Sequence, residues 1–305
     1  MIPRLDAALI DARDPATMAE LLRGVQEVGF LTVHNTAIST DELAETIAMY
    51  RAFFHQPKDV KDAVNMARTG ANRGWGAAGS EQVDPDANPD FKEVFDCGFE
   101  LAANDPLRAL NLSVYGDNQW PELEGFREAI QAYYAKALGV AMGVLRGIAA
   151  AIGEDETYFD AAFTRPMALL RGNYYPPRPD WAGDRDFGIA AHTDYGCVTL
   201  LASDGVAGLE VLGADEIWLS VNAPLGDFVI NFGEMLEMWT EGRVKATLHR
   251  VVGSGDERIS VPMFFNPNHD TNVAPKASGQ VIMAGDHMKK RFDETYLHLM
   301  AQTGS

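Results

Sequence analysis

The chain has 305 residues, 47% hydrophobic and 23% charged, which excludes a disordered or fibrous polymer and allows one large folded core with an appendage. Its 44 acidic residues outnumber 25 Lys and Arg, and the resulting charge of −19 repels phosphate backbones and anionic membranes, so neither nucleic acid nor a membrane is an expected partner. Cys97 and Cys197 fit reduced thiols, and the opening residues, broken by Pro3, Arg4, Asp6 and Asp11, resemble no export signal, so a cytoplasmic location is expected.

Asp14 followed by Pro15 offers an N-cap and a proline at the first helical position, and Met18, Leu21, Leu22 and Val25 recur at helical spacing behind them. A short strand is predicted over 30–33. Ser39 and Glu42 then form a capping box for a helix whose apolar face carries Leu43, Ile47, Tyr50, Phe53 and Phe54. From 70 to 106 the chain is rich in Gly, Asn, Asp and Pro, which predicts a long, largely irregular loop. Its aromatics, Trp75, Phe91 and Phe95, suit either a lid over a site or pins to the body.

Between 121 and 152 the residues Phe126, Ile130, Tyr133, Leu138, Met142, Leu145, Ala149 and Ile152 keep a 3.6-residue period, predicting one long bracing helix that Gly153 ends. The most apolar stretch, 137–153, is shorter than the ~20 residues a bilayer needs and carries Arg146, so it reads as buried helix.

After about residue 167 the pattern changes to strand-like runs at 167–175, 188–191, 197–203, 209–212, 217–221, 228–231, 247–252 and 258–266. Eight such runs predict a jelly roll, a double-stranded β-helix. A helical insertion is predicted at 234–240, and Asp286 caps a helix running to about Gln302. The class is mainly β with flanking helices: an N-terminal α/β annex over 1–106, then the bracing helix and catalytic jelly roll over 107–305.

His192-Thr193-Asp194 is an H-x-D triplet, of which seven histidines and 44 acidic residues yield about one by chance, so context must decide its meaning. On a strand, residues i and i+2 point to the same side roughly 7 Å apart, and both side chains reach one metal. His249, in an apolar run, needs a partner for its ring nitrogens and supplies a third ligand. Two histidines and a carboxylate leave metal positions open, the arrangement of non-haem iron(II) oxygenases, whereas structural zinc is closed by four ligands. Arg258 and Ser260, two apart on one strand, can clamp a carboxylate together.

This ordered set, His192-x-Asp194, His249 and Arg258-x-Ser260, resembles the isopenicillin N synthase-like group of iron(II)/2-oxoglutarate-dependent dioxygenases. Arg171-Gly-Asn173-Tyr-Tyr175-Pro-Pro177 is similar to that family's R-x-N-Y-Y-P-P stretch, which implies that Asn173 and Tyr175 sit beside the cosubstrate. Ile2-Pro3, Gly29-Phe-Leu, Phe53-Phe54 and Arg73-Gly-Trp75 resemble its amino-terminal part. One departure is Asn231-Phe-Gly-Glu234, where relatives show Asn-x-Gly-Asp.

The resemblance implies iron(II) held by His192, Asp194 and His249, 2-oxoglutarate held at its far carboxylate by Arg258 and Ser260, and dioxygen as oxidant. The implied reaction oxidises a small molecule, typically by hydroxylation, and releases succinate and carbon dioxide. Two alternatives stay open: an iron oxidase of the same fold that does not use 2-oxoglutarate, and a non-catalytic metal-binding jelly roll. Succinate formation separates the first, and oxygen uptake the second. Arg171, on the face of Asn173, suits either an acidic substrate or a structural role.

Overall fold

A computed structural model describes residues 1–295 except 70, 71, 83, 85, 87, 181, 184 and 185, with side chains as far as Arg291. Twelve strands occur among the described residues: β1 (Arg4–Asp6), β2 (Phe30–His34), β3 (Gly74–Gly76), β4 (Glu93–Gly98), β5 (Leu169–Tyr175), β6 (Ile189–His192), β7 (Val198–Ser203), β8 (Leu209–Leu212), β9 (Trp218–Ser220), β10 (Phe228–Phe232), β11 (His249–Val251) and β12 (Arg258–Phe265). The predicted eight-strand pattern corresponds to β5–β12, with ends displaced by a residue or two.

These eight strands divide evenly between two sheets, as a jelly roll requires. The larger sheet runs β1-β2-β10-β7-β12-β5-β4-β3 and the smaller β6-β11-β8-β9. Strands from the N-terminal third extend both edges of the larger sheet. β2 pairs antiparallel with β10 at one edge, and β4 with β5 at the other.

The segment 70–106 is largely irregular among its described residues, as its composition predicts, but it also carries β3 and β4, which the composition did not predict. Trp75 in β3 and Phe95 in β4 are buried, and the Trp75 indole N–H donates to Glu93 at 2.7 Å. Both aromatics pin the segment to the body. Trp75 stands opposite Phe95 in the β3–β4 pair, and β4 in turn pairs with β5 far along the chain, which local Gly and Pro content does not report. Phe91 is half-buried, and its backbone N–H bonds to the Phe187 carbonyl.

The long helix, Phe126–Ala151, begins after Gly125, which takes a left-handed conformation (φ 74°) that favours glycine. By length and composition it could cross a membrane, but its buried face, including Phe126, Ile130, Tyr133, Ala141 and Ile148, packs into the core beside helix Thr40–Phe54. That second helix carries the predicted capping box. The helical insertion spans Glu234–Trp239, and the C-terminal helix spans Ala284–Thr295, beginning before Asp286; residues 296–302 of its predicted run lie outside the described residues.

Strand alternation decides which side chains serve the site. On β12, Ile259, Val261, Met263 and Phe265 join the core under the helices, while Arg258, Ser260, Pro262 and Phe264 line a cavity between the sheets. On β5, Leu170 and Tyr174 face the helices, while Leu169, Arg171, Asn173 and Tyr175 face the cavity. Gly172 allows a close approach on the helical face: a Cβ there would stand 2.2 Å from the Tyr50 ring.

Candidate active site

β6 and β11 are antiparallel neighbours, and their register sets His192 directly opposite His249, with ring centroids 4.3 Å apart. Backbone carbonyls accept from the inner ring nitrogens: Ala190 O from His192 Nδ1 at 2.8 Å, and Thr247 O from His249 Nδ1 at 3.1 Å. A carbonyl cannot donate, so each Nδ1 carries a proton, and in the neutral ring each Nε2 presents a lone pair. Both Nε2 atoms lie 3.7 Å from Asp194 Oδ1.

The sequence argument placed Asp194 on the strand, but β6 stops at His192 and Asp194 sits in the turn toward β7. Its position comes from neighbouring strands instead. Asp194 Oδ2 accepts from Asn231 Nδ2 at 2.7 Å and from the Thr199 hydroxyl, leaving Oδ1 to face the histidines.

Burial holds the His249 ring at about 4, with His192 adding to the effect, so His249 is neutral at physiological pH. Burial also opposes charge on His192, but Asp194 and the Ala190 carbonyl outweigh it and raise that ring. Against burial, the two histidines and Thr199 hold Asp194 well below the usual carboxylate range. One carboxylate and two imidazoles, their ligand atoms within 4.8 Å of one another, are a donor set that fits a divalent metal with coordination positions to spare.

Thr199 and Asn231 did not emerge as functional residues from the sequence. The available signal was a buried polar side chain in an otherwise apolar strand, plain for Asn231 in Phe-Val-Ile-Asn-Phe. Partners that orient a metal ligand are typically worth ten- to a hundred-fold in affinity. Asn231→Leu is therefore expected to weaken iron(II) binding by about that factor in an anaerobic titration. An affinity within twofold of wild type would remove the role given to this amide.

The cavity, of about 150 Å³, continues from the triad to Arg258 and Ser260, expected to clamp a carboxylate, and to Asn173 and Tyr175, expected beside the cosubstrate. In the β5–β12 register Ser260 lies opposite Asn173, and Arg258 opposite Tyr175. The Asn173 amide donates to Ser260 Oγ at 3.3 Å, which leaves the serine proton free to donate elsewhere. Arg258 Nε donates to the Val206 carbonyl at 3.1 Å, and its guanidinium carbon lies 5.1 Å from the Tyr175 ring centre. Arg258 Nη1 is buried with no hydrogen-bond partner among the described residues. A buried guanidinium nitrogen left in this way calls for an anionic ligand.

Arg171 is engaged by protein. It binds Asp96 through Nε and Nη2, at 2.8 and 2.7 Å, and Glu81 Oε2 through Nη1 at 3.0 Å. Lys92 Nζ reaches Glu81 Oε2 at 2.8 Å and Asp90 Oδ2 at 2.7 Å, all of these groups being buried. Partners so far apart in sequence were not legible before folding.

Glu234, the departure from the family pattern, accepts from the Thr193 hydroxyl at 2.5 Å and pairs with Arg291 of the C-terminal helix. The longer side chain ties the turn between His192 and Asp194 to that helix, whose Met288 lines the cavity. Among the remaining histidines, His287 Nε2 lies 3.0 Å from the Tyr195 carbonyl and His55 Nε2 2.9 Å from Glu257. Neither joins the triad.

Residues 166–267 match the 2OG-Fe(II) oxygenase superfamily, and residues 2–123 match the "non-haem dioxygenase in morphine synthesis N-terminal" family. A 2-oxoglutarate-Fe(II) type oxidoreductase of Aspergillus fumigatus is 34% identical over 280 residues, covering 88% of this chain and 82% of the relative. Among solved structures, a 2OG-Fe(II) oxygenase family protein from Caulobacter crescentus is 28% identical with a TM-score of 0.83, covering 96% of this chain and 99% of that one. A full-length Neurospora crassa protein solved in complex with alpha-KG (2-oxoglutarate) and thymine is 26% identical with a TM-score of 0.82, covering 96% of each chain.

Proposed function

Because this chain belongs to the 2OG-Fe(II) oxygenase superfamily, isopenicillin N synthase-like in type, we propose that His192, Asp194 and His249 hold its iron and that Arg258 and Ser260 hold its cosubstrate. It is a 2-oxoglutarate-dependent dioxygenase whose cofactors are Fe(II), 2-oxoglutarate and dioxygen. That activity, rather than the oxidase without 2-oxoglutarate or the non-catalytic module, is the one the names of the relatives support.

The observation that carries the assignment is the shared cavity. At one place three ligand atoms converge, and at another Arg258 Nη1 and the Ser260 hydroxyl wait for an anion. Iron with 2-oxoglutarate and dioxygen supplies the oxidising chemistry, with succinate and carbon dioxide as coproducts. The Ala190 and Thr247 carbonyls hold the proton of each neutral ring on Nδ1, which leaves Nε2 for the metal, and Thr199 and Asn231 hold Asp194. Arg258 fixes one end of the cosubstrate, Asn173 aims the Ser260 hydroxyl, and Tyr175 stacks the guanidinium in place.

The reaction proposed is hydroxylation of a small molecule, small-molecule binding being what the thymine complex of the Neurospora crassa protein exemplifies for a neighbour. Residues 107–305 are taken as the catalytic body and 1–106 as its annex. A cytoplasmic location suits the two buried, free thiols of Cys97 and Cys197. The test is a metabolite screen with iron(II), 2-oxoglutarate and ¹⁸O₂. A product that gains one labelled oxygen as succinate forms meets the proposal, and a product that only loses two hydrogens overturns hydroxylation.

A further inference from the structure

The cavity wall away from Arg258 is built from two unlike materials. Val114, Met167, Leu169, Phe264 and Met288 make it apolar, and the Glu81 carboxylate interrupts them. Glu81 is 3% exposed. It is tied to the metal-binding end through Lys92 and Asp90, and Asp90 Oδ1 lies 3.5 Å from the backbone N–H of Ala190, two residues before His192.

The two carboxylate oxygens of Glu81 are not equivalent. Oε2 takes the directed donors, Arg171 Nη1 and Lys92 Nζ. Oε1 lies 2.9 Å from Arg171 Nη2, the nitrogen that donates to Asp96 Oδ2, yet among the described residues no donor hydrogen is aimed at Oε1. Against burial, Arg171 and Lys92 hold this carboxyl at about 2, so it is ionised. An ionised oxygen buried with unused lone pairs is costly until a donor reaches it. Of the cations on this wall, Lys92 and Arg171 are committed to carboxylates, Lys92 to Glu81 and Asp90 and Arg171 to Glu81 and Asp96, with Asp90 and Asp96 standing behind the lining, and Arg73 donates to the backbone carbonyls of Asn72 and Val114.

From this wall we infer that Glu81 is a specificity residue: the substrate is an uncharged small molecule with an apolar body and an N–H or O–H group that donates to Glu81 Oε1. The inference rests on the cavity being the substrate site of the 2-oxoglutarate oxygenase. A free carboxylate at that place would meet Glu81 as a like charge, and a donor-free molecule would leave Oε1 unmet.

The test uses the full chain loaded anaerobically with iron(II) and 2-oxoglutarate, and measures binding by ligand-observed NMR. The probes are matched pairs: glutarimide and N-methylglutarimide, 2-pyrrolidinone and N-methyl-2-pyrrolidinone, 4-methylcyclohexanol and its methyl ether, with cyclohexanecarboxylate as the anion. The donor-bearing member of at least one pair is expected to bind about tenfold or more tighter than its capped partner, and Glu81→Gln to erase that preference. Equal affinities within every pair, tighter binding of the carboxylate, or no binding by any donor-bearing probe would overturn the inference. The wild-type pairs decide the matter even where Glu81→Gln fails to fold. The iron–2-oxoglutarate charge-transfer band, formed before any probe is added, reports separately: its absence counts against the cosubstrate site and not against Glu81.

Discussion

Asp194→Ala is expected to abolish the visible charge-transfer band that iron(II) and 2-oxoglutarate give together under anaerobic conditions, and to weaken iron(II) itself by more than about a hundred-fold. Partners that merely orient a ligand are worth ten- to a hundred-fold, and a ligand atom contributes more than its orienter. Three arrangements are lost together in this variant. Oδ1 no longer faces the two Nε2 atoms, the Asn231 amide loses its acceptor, and so does the Thr199 hydroxyl. Two buried donors without acceptors cost roughly 1–3 kcal/mol each, so urea unfolding of the metal-free variant should show a lower midpoint alongside the metal defect. His249→Ala tests the same centre from the opposite strand. Iron(II) affinity within tenfold of wild type in either variant would sink the triad.

Arg258→Ala is expected to separate the cosubstrate from the metal. Its Nη1 has no hydrogen-bond partner among the described residues, while Nε is already committed to Val206. The guanidinium is thus positioned by protein on one side and available on the other. A lost charge-assisted contact is worth roughly 2–4 kcal/mol, so apparent 2-oxoglutarate affinity should fall by about thirty-fold to several hundred-fold. Iron(II) affinity measured without cosubstrate should barely move, because Arg258 lies on β12 of the larger sheet and the histidines on the smaller. Pyruvate, which lacks the far carboxylate, should support turnover poorly in the wild type and lose less than 2-oxoglutarate does in the variant. An affinity for 2-oxoglutarate within threefold of wild type would show that the clamp lies elsewhere.

The strands of the jelly roll were legible in the sequence because each is a short apolar run bounded by turn residues, a signal carried within the run itself. The site was legible in part for the same reason: Arg258 and Ser260 share a face by the two-residue period of β12, which depends on no distant partner. Asp194 shows the limit of that reasoning. The H-x-D spacing was significant, but strand geometry did not supply the reason, since β7 and β10 hold the carboxylate in its turn. The segment 70–106 shows a second limit. Gly, Asn and Pro report turn chemistry but not that the residues between turns will find β5, and the Glu81–Lys92–Arg171 ion pairs join residues up to 90 positions apart.

The alternation on β5 and β12 also bears on how this chain can change length. Odd-numbered residues of β5 and even-numbered residues of β12 face the cavity, and their neighbours fill the core. A one-residue slip of either strand would exchange the two rows, turning Arg258 and Ser260 into the apolar packing while Ile259 and Val261 entered the cavity. Short of a bulge that absorbs the change, the parity of both strands is therefore fixed. The connections between strands carry no such constraint, and length drift is confined to them: these turns can grow or shrink around a site whose residue count along the strands cannot.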